Sequence, residues 1–175
     1  MGIKIMVARV SSSTLIGIDA VRVEIETQII GALKRFAIVG LPDGVLREAK
    51  DRVRCAIENS GFSFPTGGLV VNLSPAGLPK TGSGFDLGLA LSVLGAAGYI
   101  PSTALDKILV LGELALDGSI KPVPSVLAAA CLAKSLPGYE LLVPVERLAE
   151  LRMLSNLRIR AVSSLVESVL HLSAE

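Results

Sequence analysis

The loop that follows Ser74 carries the residue types most like those of a phosphate-binding site. A phosphate loop has the pattern G-x-x-x-x-G-K-[ST], in which the lysine contacts the β- and γ-phosphates of a nucleotide. Starting from Gly77, this pattern requires lysine at position 83, where the chain has Ser83. Pro79 also removes one backbone N–H from the loop. The sequence therefore predicts a glycine-rich turn here rather than a nucleotide site.

Side chains that commonly bind metals or activate nucleophiles are scarce in this chain. His171 is the single histidine, and it stands near the end of the sequence. A Ser-His-Asp triad and a His-rich metal site are both disfavoured on this ground. Cys55 and Cys131 fall in helical patterns, where small buried hydrophobes are expected rather than a disulfide, as in a reducing cytoplasm. We expect no metal and no cofactor in this domain.

One helix carries a stripe of positive charge. Arg47, Lys50 and Arg54 are spaced i, i+3 and i+7, so they share one helix face. Cations in such an array can contact phosphates or dock a partner protein. With Lys80 from the glycine-rich loop, these residues are our candidates for binding DNA or a partner. The alternative is an ordinary solvated face whose charges pair with neighbouring carboxylates.

Three carboxylates are expected to have structural roles. Asp43 follows a turn and is predicted to cap a helix that runs to about Asn59. Asp86 stands directly before an apolar helix and is also predicted to be a cap. Glu113 follows a strand that reads as buried, so it needs an ion-pair or hydrogen-bond partner.

Hydrophobic periodicity predicts a single α/β domain with a mixed sheet. Val21, Val23 and Ile25 alternate with polar residues, which is typical of a strand with one wet face. An Asp117-Gly118 pair predicts a hairpin turn. Predicted strands cover residues 5–10, 20–29, 36–39, 69–73, 107–111, 141–143 and 157–162, and predicted helices cover 43–59, 86–97, 124–134, 146–151 and 165–172. Hairpins and strand-helix-strand units thus occur in one chain.

Composition excludes several classes of protein. A chain of 175 residues, 51% of them hydrophobic, can build one sizeable core. A net charge of +1 argues against a polybasic nucleic-acid-binding domain, and the absence of Trp leaves few rings for base stacking. The most apolar stretch, Leu87 to Ile100, is shorter than the roughly 20 residues that a membrane span needs. We expect no membrane partner.

A series of motifs recurs in order along nearly the whole chain. They are the run from Phe36 to Asp43, Arg47-Glu48 with residues 52–57, Gly61-Phe62 with Phe64-Pro65, Val71 to Ala76, Lys80 to Leu87, Gly112 to Leu114, and Asp117-Gly118. This series closely resembles the N-terminal domain of the ComM (YifB) family of magnesium-chelatase-like proteins, over about residues 13–171.

The resemblance implies an architecture and a function. Residues 1–175 would be a domain with the fold shared by the Lon proteolytic domain and a ribosomal-protein domain. An AAA+ ATPase domain absent from this chain would follow and would bind ATP and Mg²⁺. Members of this family are associated with cytoplasmic homohexameric helicases that drive DNA branch migration during natural transformation. The domain would then contact its own AAA+ domain, organise the oligomer and touch DNA.

The Lon-like fold raises the question of proteolysis. Lon-type proteases use a serine activated by a lysine amine, which must be close and partly desolvated. Laying the Lon motifs on this chain puts the nucleophile at Gly84 and the lysine at Leu127, and neither residue can do that chemistry. The resemblance therefore implies a non-catalytic relative of a protease domain.

Two alternatives remain open at this point. One is a Ser-Lys peptidase that uses Ser83, the residue next to the nucleophile position, with Lys80 or Lys121 as the amines nearest in sequence. The other is a protein-interaction module that contacts no nucleic acid.

Overall fold

A long antiparallel hairpin forms the centre of the molecule. The computed structural model describes residues 7–31, 35–80 and 82–174. Strands β1 (Val7–Ile16) and β2 (Asp19–Ile30) pair from Val7↔Gln28 to Ile16↔Asp19. Val23 and Ile25 are fully buried and Arg22 is exposed, so the predicted alternation is confirmed.

Seven strands form one mixed sheet. Its order is β3-β4-β2-β1-β5-β8-β9, with antiparallel pairs on both sides of β2 and parallel pairs elsewhere. The remaining strands of this sheet are β3 (Phe36–Val39), β4 (Gly68–Ser74), β5 (Ile108–Val110), β8 (Glu140–Pro144) and β9 (Arg158–Val162). Strands β6 (Glu113–Leu114) and β7 (Ile120–Lys121) form a separate small hairpin. The predicted mixed α/β architecture is confirmed.

Helices cover the sheet. They are α1 (Asp43–Asn59), α2 (Asp86–Ala96), α3 (Ser102–Leu105), α4 (Val126–Ser135), α5 (Leu148–Leu151) and α6 (Leu165–Ser173), with a 3₁₀ turn at Val145–Arg147 before α5. The predicted helix over 146–151 corresponds to the 3₁₀ turn together with α5, whereas α3 was not predicted, because a segment this short carries no readable period.

Alternation along β5 divides the apolar interior into two cores. Ile108 and Val110 belong to a core that also includes residues of α1, α2 and α6. Leu109 belongs to a second core with Val126 and other residues of α4. Because successive strand residues point to opposite faces, a continuous apolar run such as 108–111 marks a strand buried on both sides.

Helix α2 is buried along its whole length, and its glycines permit close packing. A Cβ at Gly88 would lie 2.8 Å from Ile25 Cδ1, and one at Gly95 would lie 2.5 Å from Leu105 Cδ1. The helix therefore approaches β2 and α3 more closely than side chains there would allow. Ser92, a polar residue of this helix, shares a 2.7 Å hydrogen bond with Thr27.

Strand β1 extends well past its predicted end. The sequence predicted a strand over 5–10, but the strand continues to Ile16, and the predicted start at Ile5 lies outside the described residues. Ser11, Ser12 and Ser13 have weak strand character, yet these three and Thr14 are buried and in register with β2. Tertiary pairing overrides local propensity here.

Two other features of the described residues bear on the expectations. The helices described are all too short or too polar to cross a bilayer. Cys55 and Cys131 are free thiols, the first half-buried and the second exposed, so the expected buried role is wrong for Cys131.

Candidate functional site

The basic stripe of α1 lies over a pair of phenylalanine rings. The Lys50 Nζ atom is 5.8 Å from the centroid of Phe36, and the Arg54 guanidinium carbon is 5.2 Å from that of Phe64. The two ring centroids are 5.4 Å apart, with the ring planes tilted by 56°. Both distances suit cation–π attraction. Lys50 and Arg54 thus share one face, as their spacing predicted.

Beside this aromatic pair lies a cleft of about 270 Å³. Its lining includes the exposed Arg35 and Arg54 together with Phe36, Phe64 and Leu69. We call the surface formed by Arg35, Phe36, Lys50, Arg54 and Phe64 the basic aromatic surface. Its rings offer apolar contact area and its cations offer charge to an anionic ligand.

Sequence reasoning missed the aromatic half of this surface. Phe36 lies on the edge strand β3, and Phe64 lies in the loop before β4. Parallel pairing of β3 with β4, which begins at Phe36↔Leu69, brings the two segments together. In the sequence, Phe36 and Phe64 stood out only as parts of family motifs. The sequence showed that both are aromatic but gave no sign that their rings are in contact.

Other members of the predicted stripe differ in their surroundings. Arg47 is exposed on α1. Arg54 also forms an exposed ion pair with Glu58, at 3.1 Å. Such pairs contribute little to stability, so Arg54 can exchange this partner for a ligand. Helix α1 begins at Asp43 with Pro42 at the N-cap position, one residue before the predicted cap, and the Asp43 side chain lies outside the described part of the chain.

Arg52 is not part of the stripe and forms a partly buried ion pair with Asp86. Its Nε and Nη2 atoms donate to the two carboxylate oxygens of Asp86 at 2.7 and 3.2 Å. The Asp86 carboxylate also accepts the backbone N–H of Leu114 at 3.3 Å. This carboxylate does not cap its own helix, so the predicted capping role is wrong; instead it ties α2 to α1 and β6. Asp86 is 1% exposed, and burial raises the pKa of its carboxyl, although the Arg52 hydrogen bonds partly lower it.

Glu113 has the partner that its position required. The Ser83 hydroxyl donates a hydrogen bond to its Oε2 atom. Ser83 and Glu113 line a second cleft, of about 280 Å³, together with Gly84 and the end of β1. The pairing spans two distant loops and could not be read from sequence spacing.

Lys80, a sequence candidate for binding DNA or a partner, is buried. It is 1% exposed, and its Nζ atom donates to the Pro75 carbonyl at 2.5 Å. Desolvation lowers the pKa of this ammonium from its usual value. A cation held in this way cannot reach a DNA phosphate, so the assignment of Lys80 to the binding surface is wrong.

The two positions carried over from Lon lie in different surroundings. Gly84 lines the cleft that contains Ser83 and Glu113. Leu127 is 43% exposed and lines a separate apolar groove with Ile18 and Cys131. In the described part of the chain, the Ser83 hydroxyl is bonded to a carboxylate and the Lys80 amine to a carbonyl. This arrangement supplies no hydrogen-bonded serine–lysine couple between them.

Comparison with known proteins places the chain among a group of bacterial relatives. Residues 25–147 match the family model described as subunit ChlI of Mg-chelatase. An uncharacterised protein of Mycobacterium tuberculosis is 42% identical over 157 residues, which is 90% of this chain and 31% of the relative. The uncharacterised protein YifB of Salmonella typhimurium is 37% identical over 85% of this chain and 29% of its own length. The competence protein ComM of Haemophilus influenzae is 33% identical over 96% of this chain and 33% of its own length. The chain thus spans about a third of the length of the curated relatives it matches.

Proposed function

This chain belongs to the ChlI-related family that includes YifB and ComM, and from that premise we propose that it is a non-catalytic, DNA-contacting domain of a ComM-like AAA+ ATPase. In the whole cytoplasmic protein, the AAA+ domain binds ATP and Mg²⁺ and assembles as a homohexamer. That hexamer acts as a helicase in DNA branch migration during transformation and recombination. The present domain contacts its own AAA+ domain and helps to organise the ring.

The observation that carries the DNA proposal is the basic aromatic surface. Arg35 and Arg54 provide guanidinium groups that pair with phosphate oxygens. Phe36 and Phe64 provide half-buried rings against which an unstacked base can pack. Arg47, one helical turn before Lys50, extends the charge along α1. Cations and rings alternating on one surface suit single-stranded or branched DNA better than intact duplex, whose bases are not free to stack.

Charge reversal on α1 tests this proposal. In the full-length protein, the triple variant Arg47→Glu, Lys50→Glu, Arg54→Glu should bind forked DNA at least about tenfold more weakly. The slope of log affinity against log salt should become less steep by about two, because up to three phosphate contacts are lost. Fluorescence anisotropy at two salt concentrations measures both quantities.

A matched control keeps the same charge change but moves it elsewhere. Lys121, Lys134 and Arg152 are exposed and lie outside the basic aromatic surface, so their triple reversal to Glu should leave most of the affinity intact. Equal losses in the two triple variants would contradict a localised site. Unchanged, salt-dependent binding by the α1 variant would remove this surface from the proposal.

The non-catalytic assignment is supported by the residues at the two Lon positions and by the partner of Ser83. Gly84 and Leu127 supply neither hydroxyl nor amine, and the Ser83 hydroxyl is engaged by Glu113. We expect casein to remain intact when incubated with the protein. Cleavage that disappears in Ser83→Ala would establish the peptidase alternative instead.

A further inference from the structure

Strands β1 and β5 are parallel neighbours that separate towards their carboxyl ends. They share one register pair, Ser11↔Leu109. Beyond it, the chain after β5 turns away from β1: the Leu111 N–H donates to the Leu142 carbonyl, and the Gly112 N–H donates to the Gly84 carbonyl, both at 3.1 Å. A crevice of about 280 Å³ opens between the diverging segments. It is the cleft that holds Ser83 and Glu113.

This crevice lies where the connections of the sheet change direction. From its carboxyl end, β1 turns back to β2 on one side, while the chain leaving β5 continues to β8 on the other side. In open sheets with parallel strands, such a switch point leaves a space outside the strand ends that no crossover fills, and ligands bind there. The position of this crevice in the sheet is therefore one where the general rule expects a ligand.

Among the described residues, no strand pairs with the edge that the last part of β1 presents to the crevice. Within the described residues, β1 pairs with β2 as far as Ile16, but β5 reaches it only at Ser11. In an antiparallel pair, alternate residues direct their backbone N–H and C=O groups away from the partner strand. Part of the backbone of Ser13, Thr14 and Leu15, which line the crevice, must therefore point into it.

The described residues also offer no hydrogen-bond partner to one buried hydroxyl in the crevice. Ser13 is 6% exposed, and among the described residues its Oγ atom has no hydrogen-bond partner. The neighbouring hydroxyls are satisfied, since Ser12 donates to the Val110 carbonyl at 2.8 Å and Thr14 to the Pro79 carbonyl at 2.5 Å. An orphaned polar atom that lines a cavity indicates a ligand able to accept or donate a hydrogen bond there.

We infer that this crevice binds an extended segment of polypeptide, which adds as a strand to the free edge of β1 between Ser13 and Leu15. Backbone pairing supplies the affinity, as in other cases of strand addition. Leu15, Phe85, Leu111 and Val123 line the crevice and accommodate small apolar side chains of the bound segment. The Ser13 hydroxyl forms a hydrogen bond with the backbone or with a polar side chain of the bound segment. The inference does not depend on the DNA proposal, because it uses none of the residues of the basic aromatic surface.

A pair of labelled peptides tests the inference on the 175-residue chain. The probe is a fluorescein-labelled peptide of alternating threonine and valine with serine at both ends. Its twin carries N-methyl groups on two consecutive central amides, which blocks both of its hydrogen-bonding edges. Fluorescence anisotropy should show saturable binding of the probe and at least tenfold weaker binding of the twin. Amide chemical-shift changes on adding the probe should centre on residues 13–15 and 82–85.

A variant whose side chain fills the crevice provides a second test. Gly84 does not have positive φ, and a Cβ there would have Val123 Cγ1 as its neighbour at 3.8 Å, so Gly84→Leu projects a side chain into the crevice. We expect this variant to lose probe binding. Gly44→Leu is the matched control, since a Cβ at Gly44 meets no atom within 4 Å and α1 does not line the crevice.

Three outcomes of the peptide and chemical-shift measurements would overturn the inference. They are the absence of saturable probe binding up to ~1 mM, equal binding of the methylated twin, and shift changes that centre away from β1. Displacement of the probe by a thymidine oligonucleotide would likewise assign the crevice to nucleic acid. The peptide arms and the chemical shifts need no variant, so they decide the question even where Gly84→Leu fails to fold.

Discussion

Two regions of the molecule show opposite ways of building a binding surface. The basic aromatic surface consists of long side chains on a helix face, and its charges are exposed and loosely paired. The crevice between β1 and β5 is lined by backbone edges, short hydroxyl side chains, glycines and apolar side chains, and the described residues that line it include no lysine or arginine. The first region suits an anion held by charge, and the second suits a neutral chain held by hydrogen bonds.

This difference extends to stability. Ion pairs on the helix face lie in water and are screened, so breaking one has little effect on folding. In the Arg52–Asp86 pair the Asp86 side chain is 1% exposed, so removing Arg52 leaves that carboxylate buried without its partner. Residues of the basic aromatic surface can therefore be mutated to test function without unfolding the protein. Around the crevice, mutations should be confined to the residues that line it, because loss of the Arg52–Asp86 pair would destabilise the fold.

The largest expected effect follows from removing Arg52. Arg52→Ala leaves the Asp86 carboxylate buried without its guanidinium partner and should lower the free energy of unfolding by about 3–5 kcal/mol. Urea unfolding followed by circular dichroism measures this change. A loss below about 1 kcal/mol would mean that the pair behaves like the surface pairs and would remove the contrast between the two regions.

The next largest effect is expected for Lys80→Met, which should lower stability but leave DNA affinity unchanged. Lys80→Met keeps a long apolar stem but leaves the Pro75 carbonyl without its donor, so it should cost about 1–3 kcal/mol of stability. DNA affinity of the full-length protein should stay unchanged, since the ammonium is buried. A DNA defect as large as that of the α1 triple variant would restore Lys80 to the binding surface.

The pH dependence of stability should reveal the lowered pKa of Lys80. Its pKa is lowered in the folded state by desolvation, so between that pKa and the ordinary lysine value the unfolded chain binds more protons. Stability must then rise with pH through that window. Urea midpoints measured from neutral pH to about pH 10 should therefore increase more in the wild type than in Lys80→Met. Parallel curves for the two proteins would show that the amine is not desolvated.

A smaller effect tests the aromatic half of the basic surface. Phe64→Leu keeps an apolar side chain but removes the ring beneath Arg54, and base stacking on such rings contributes about 1–3 kcal/mol per base. Single-stranded DNA should bind the full-length variant about fivefold or more weakly, while duplex affinity changes little. Equal losses for both DNA forms would indicate that the surface contacts phosphates alone.

The smallest effect is expected at the exposed pair. Glu58→Ala frees Arg54 from its helical partner and should change the free energy of unfolding by no more than about 0.5 kcal/mol. Anisotropy with forked DNA should show unchanged or slightly tighter binding, because a repelling carboxylate has been removed. Weaker DNA binding would mean that Glu58 positions Arg54 for its ligand.

The sequence by itself determined the main elements and the shared face of Lys50 and Arg54, since these depend on periodicity and local order, and its series of motifs carried the family resemblance. The apolar helix predicted over 86–97 is α2, which the structure buries along its whole length.

Only the tertiary structure decided which distant residues meet. It placed Phe36 beside Phe64, joined Ser83 to Glu113, withdrew Lys80 from solvent and turned Arg52 inward to Asp86. The extension of β1 to Ile16 likewise came from pairing with β2. Spacing along the chain specifies neighbours within a helix or strand, but contacts between elements depend on strand order and on where neighbouring strands diverge. A serine-rich stretch such as residues 11–13 has no local signal that distinguishes a loop from the wall of a crevice.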